Sequence, residues 1–175
     1  MSRTKKIVLL GILVSQALIL HLVERLIPVP VPVPGIKLGL ANSISLITIV
    51  LFGSKEALAV VGMRTFLGSV FGGSISSFIY SFTGGVISTM AMAAMNRKFG
   101  SLFSLPAISV VGAILHNIGQ LLVASFIIKN VKLFYYLPAL MISAVITGLF
   151  IGFAVQFMLK PVKHIFGMGS EADVE

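Results

Sequence analysis

The chain contains no cysteine and no tryptophan, and only five of its 175 residues are acidic. Without thiols there are neither disulfides nor thiolate metal sites. The three histidines, His21, His116 and His164, stand far apart with no carboxylate cluster beside them, so the sequence offers no metal-ligand set. No glycine-rich loop runs into Gly-Lys-Ser/Thr, which excludes that way of cradling ATP phosphates. No serine sits in a nucleophile-elbow pattern and no pair of acids falls inside an apolar segment, Glu24 being the one deeply placed carboxylate. These absences read as a chain that is not an enzyme and carries no cofactor or metal.

What fills the space instead is hydrocarbon. Hydrophobic residues make up 57% of the chain and charged ones 10%, with a mean hydropathy of +1.08. Such values belong to an integral membrane protein. The formal charge of +8 is spread over short loops rather than gathered in a stripe, so it reads as membrane topology and not as nucleic-acid binding.

Six apolar segments follow, Ile7 to Ile27, Leu38 to Phe52, Ala57 to Phe71, Ser76 to Met95, Pro106 to Ile128 and Leu133 to Leu159. The expected fold is an all-α, six-helix transmembrane bundle, one domain over residues 1–166 with a disordered tail at 167–175. The second and third segments are about 15 residues long, roughly 22 Å as helix, so they span incompletely or lie inside the bundle. The amino end, Lys55, Arg97 with Lys98, and Lys160 with Lys163 hold eight basic residues, against four at Arg25, Lys37, Lys129 and Lys132 on the other side. The positive-inside bias therefore places both termini in the cytoplasm of a cell membrane.

Arg64 lies within the apolar run from Ala57 to Phe71. A cation at that depth is kept where it faces protein, water or a bound solute. Its potential partners are Glu24, Asn42, His116, Asn117 and Gln120, which together describe a polar cavity in the outer half of the bundle. An interhelical network is the alternative, with an Arg64–Glu24 salt bridge and Asn117 and Gln120 as glue between helices. Phe66, Phe71, Phe78 and Tyr80 are expected to supply an apolar lining.

Two further features bear on access and assembly. Pro30, Pro32 and Pro34 belong to a Pro-Val alternation that ends in Gly35, a stiff extended strip reading equally as a gating lid over the cavity or as a plain connector. Lys37 follows it, placed to meet an anionic group, and the glycines at 72–73 offer a flexible turn on the same side. Gly11 and Ser15, like Ala144, Gly148 and Gly152, follow the small-xxx-small pattern for close helix contact. On the first helix that stripe reads either as internal packing or as an outward docking surface.

The run Pro34-Gly35-Ile36-Lys37-Leu38-Gly39-Leu40-Ala41-Asn42, then Phe52-Gly53 with Lys55-Glu56-Ala57, Arg64 with Leu67-Gly68-Ser69, Tyr80-Ser81 with Gly84-Gly85, and His116-Asn117-Ile118-Gly119-Gln120 resemble the Gx transporter family. That family is also labelled heptaprenyl diphosphate synthase component I. The resemblance extends over about Ile7 to Leu159 and implies a fold similar to the S components of energy-coupling factor transporters. It implies a small-molecule substrate captured on the outer side, a gating first loop, and Gly11 and Ser15 docking to a transmembrane scaffold driven by ATPases in trans. Prenyl synthases hold magnesium diphosphate through aspartate-rich motifs, and the one aspartate here is Asp173. The catalytic label therefore does not fit, and an isoprenoid or quinone precursor becomes the expected solute class. In this reading Arg64 and Lys37 pair with the solute, Asn42, His116, Asn117 and Gln120 hydrogen-bond to it, and Glu24 orients Arg64 or binds the head group. The alternatives are a membrane partner or anchor of a prenyl synthase or redox enzyme, and a proton-coupled carrier using Glu24 and His116.

Overall fold

The computed structural model describes residues 2–27, 39–71 and 75–166. These form six α-helices and no strand: α1 (Arg3–Val23), α2 (Asn42–Phe52), α3 (Ser54–Val70), α4 (Ile75–Phe99), α5 (Leu105–Ile128) and α6 (Leu137–Ile165), with short 3₁₀ turns at Glu24–Leu26 and Val131–Tyr136. The helix boundaries fall within six residues of the apolar segments, and some of the ends carry a capping or turn-forming group. Ser2 caps α1 through Lys5 N–H, Pro106 sits in the first turn of α5, and Gly53 takes φ +99° between α2 and α3. The proline strip, Lys37, the 72–74 turn and the 167–175 tail lie outside the described residues.

Four stretches, α1, α4, α5 and α6 with its preceding turn, are long and apolar enough to cross a membrane. Their outer faces carry large exposed hydrophobic residues, such as Ile19, Phe126, Ile146, Phe150 and Phe157, as hydrocarbon solvent requires. The chain is a multi-pass membrane protein. The start of α1 and the end of α6 share one side of the bundle, where Lys6 on α1 pairs with Glu56 on α3 and Phe52 packs on Phe166 with ring centroids 6.5 Å apart.

The interior belongs to α2. At 11 residues it is roughly 16 Å long, half the thickness of a bilayer core, and it touches all five other helices. Ile44 to Ile49 are all buried, so this helix is enclosed by neighbours on every side. It starts at mid-depth with Asn42, which sets a polar group in the middle of the molecule.

The small residues divide into two kinds. A Cβ at Gly152 would lie 2.2 Å from Pro106 Cα, and one at Gly148 2.6 Å from Val110 Cα, so α5 and α6 approach backbone to backbone. Gly11 meets nothing within 4 Å, and both it and Ser15 face outward. The α6 stripe is internal packing and the α1 stripe is surface. Gly152→Val is accordingly expected to cost about 1–3 kcal/mol as overpacking, whereas Gly11→Val stays within about 0.5 kcal/mol of the parent. Thermal unfolding of the two purified variants checks the contrast.

Candidate functional site

Arg64 emerges about 15 Å along α3 and is 1% exposed. Its Nη2 donates to Asn42 Oδ1 on α2 at 3.0 Å, and its Nε has no hydrogen-bond partner among the described residues. Room for the guanidinium comes from α4. A Cβ at Gly85 would stand 3.2 Å from Arg64 Nη2 and 2.8 Å from Val61 Cγ1, while one at Gly84 would stand 2.8 Å from both Gln120 Cγ and the His116 carbonyl oxygen. The glycine pair thus admits a cation from α3 on one side and the His116–Gln120 turn of α5 on the other.

The start of α2 closes the group. Gly39, at φ +89°, lies where a Cβ would meet Asn42 Nδ2 at 2.8 Å and His116 Cδ2 at 3.1 Å. A side chain is therefore excluded there by both conformation and space. The structure brings Asn42, Arg64, His116 and Gln120 together, each at most 4% exposed, from three different helices and within the bundle interior.

Glu24 joins them by another route than a salt bridge. Its Oε1 accepts from the backbone N–H of Gly39 and, at 3.0 Å, from that of Leu40. The carboxylate thereby secures the amides ahead of α2, where negative charge is favoured by the helix dipole, and acts on Arg64 through space. Asn117 is committed differently again: its Nδ2 donates to Leu140 O on α6 at 3.1 Å, while Oδ1 has no partner among the described residues. Lys37, Pro30, Pro32, Pro34 and Gly35 lie outside the described residues.

Two expectations need correction. Phe66 and Phe71 are 57% and 64% exposed and face the membrane, and Tyr80 is packed with Leu121, Ala124 and Leu140 in a separate apolar cluster. Phe78 stacks on Phe82 of the same helix with ring centroids 5.6 Å apart, and the group bonded to Arg64 is the polar Asn42 rather than an aromatic ring. Conversely, His21 was not among the expected site residues, yet it is 2% exposed and lies against α3 one turn past Arg64, where a Cβ at Gly68 would come within 2.5 Å of its Cδ2. The stripe Leu9, Leu13, Ala17, His21, stepping by four, is the signal that places His21 on the inner face with Glu24 one turn on.

Because Glu24 satisfies two main-chain donors, Glu24→Ala is expected to destabilise the fold by about 1.5–3 kcal/mol, the usual loss for hydrogen bonds to a charged group. Glu24→Gln, which keeps an acceptor oxygen, should recover most of that in thermal unfolding.

No curated protein and no solved structure matches the chain. A family model described as heptaprenyl diphosphate synthase component I matches residues 13–158. That span includes every helix that contributes to the polar group around Arg64, and the chain belongs to the heptaprenyl diphosphate synthase component I family.

Proposed function

We propose that this protein is the substrate-capture subunit of an uptake system, similar to an S component, working in the cell membrane with both termini in the cytoplasm and powered by a separate ATPase module. The observation that carries the reading is Arg64. A buried guanidinium has five N–H donors, and here one hydrogen bond to Asn42 is its share among the described residues. Keeping a cation so sparsely bonded in a bundle interior is costly, and a solute with an acidic or carbonyl head is the partner that makes the arrangement intelligible. His116, Gln120 and the Nδ2 of Asn42 converge on the same space and supply directional contacts.

Charge narrows the solute. The formal charges of Arg64 and Glu24 offset each other among the described residues, so the site suits a head with one negative charge at most rather than a diphosphate. A carboxylated or quinoid precursor of isoprenoid or quinone synthesis fits this, with its apolar part directed toward the helix faces. The chain itself is non-catalytic in this reading, since its single aspartate, Asp173, offers no magnesium-diphosphate motif.

Native mass spectrometry of the gently purified protein tests the proposal. A co-purifying small molecule is expected, held about 10- to 100-fold more weakly by Arg64→Gln and by His116→Ala, as loss of a charge-assisted hydrogen bond implies. Wild-type occupancy in both variants, with folding intact, overturns it. The family description favours a second reading, a membrane partner of a prenyl diphosphate synthase. Recovery of a soluble synthase and no ATPase on affinity purification decides for that alternative.

A further inference from the structure

A serine or threonine inside a helix has a ready acceptor, the carbonyl four residues back. Thr48, Thr65 and Thr147 take it, at 2.6, 2.7 and 2.7 Å. Four other hydroxyls do not. Ser45 on α2 and Ser81, Ser88 and Thr89 on α4 are each at most 2% exposed, and none of their oxygens has a hydrogen-bond partner among the described residues.

Their placement is not scattered. Ser81 lies one turn before the glycine pair at 84–85, and Ser88 and Thr89 one turn after it, toward the Arg97–Lys98 end of α4. Thr89 continues the side of α4 on which Gly85 faces Arg64. Ser88 continues the side on which Gly84 faces His116, and its Oγ would be 3.1 Å from a Cβ at Gly112 on α5. Ser45 follows Asn42 by one turn on α2, which packs against α4. From Ser81 to Thr89 the row covers roughly 12 Å, centred on Arg64. Below it Met92, Leu46 and Ile108 close the interior with apolar side chains.

We infer that the binding surface around Arg64 continues inward as a hydroxyl-lined slot, with Ser45, Ser88 and Thr89 holding the oxygen-rich end of the solute and the water that enters with it. The inference rests on the capture reading but adds a distinct claim: Arg64 is the middle of the polar surface, not its floor. Hydroxyls both donate and accept, so this inner part matches alcohol, carbonyl or carboxyl oxygens and has no charge of its own to match a phosphate. Ser45, Ser88 and Thr89 become a specificity-determining face on α4 and α2, separate from the electrostatic anchor on α3.

The absence of native cysteine makes the test direct. Single Ser45→Cys, Ser88→Cys and Thr89→Cys variants, with Leu46→Cys and Ile108→Cys as apolar controls at similar depth, are exposed to silver ion in cells and in inverted vesicles. Protection from maleimide labelling after denaturation is the readout. The three slot positions are expected to react from the outer side at least about tenfold faster than the controls, because a thiol in apolar surroundings stays protonated and inert. Equal inertness at slot and control positions, or reaction from the cytoplasmic side alone, overturns the slot. A second measurement guards against perturbation by the new thiol: Ser88→Ala with Thr89→Val should leave the melting temperature unchanged or lower it, whereas a rise would mean dry, unbonded hydroxyls and sink the inference. Arg64→Gln enters neither experiment, so the slot can fail while the anchor stands.

Discussion

The contact between Arg64 and Asn42 is the constraint around which the bundle is arranged. A guanidinium in the centre of an apolar protein needs oxygen within reach and volume to occupy. Asn42 supplies the oxygen because α2 begins at mid-depth instead of at the membrane surface. Gly84 and Gly85 supply the volume because a methyl group at either position would collide with Val61, Gln120 or the main chain of α5. Glu24 then fixes the amides just ahead of Asn42, so a carboxylate offsets the cation without spending its hydrogen bonds on it. Remove any of these and the others lose their reason for being polar, or for being small.

Much of the architecture is legible in the chain alone, since long apolar runs under the hydrogen-bonding demands of a bilayer leave few outcomes. Even the incomplete length of α2 follows from its residue count. The convergence of Asn42, Arg64, His116 and Gln120 is legible for a related reason: polar residues inside spans have few places to go except toward one another. Other features depend on helix rotation, which composition does not fix. Phe66 and Phe71 flank Arg64 in sequence and turn outward, while Tyr80 goes into the cluster with Leu121 and Leu140. The serine-rich character of α4 reads as generic close packing until the direction of each hydroxyl is known. The partner of Glu24 belongs to the same class, because nothing in a list of side chains announces that an acid bonds to main-chain amides.

The two small-residue stripes teach the same lesson from opposite sides. On α6, Gly148 and Gly152 touch the α5 main chain and are consumed by the fold. On α1 the same spacing is left on the surface, although α1 has a well-used inner face at Leu13, Ala17 and His21. A pattern that permits close approach does not say what approaches, and the difference is settled by which side of the helix the larger residues claim.

The elbow at Gly53 has a consequence for how this fold tolerates length variation. With a single residue joining α2 to α3, there is no slack to absorb an insertion. One added amino acid there would swing every side chain of α3 around its axis by about 100°. The guanidinium would turn to the side that Thr65 occupies, away from Asn42, and the outward-facing Met63 would take its place. Indels in this protein are thus constrained tightly at this connection, which lies midway in sequence between Asn42 and Arg64, the pair they would separate.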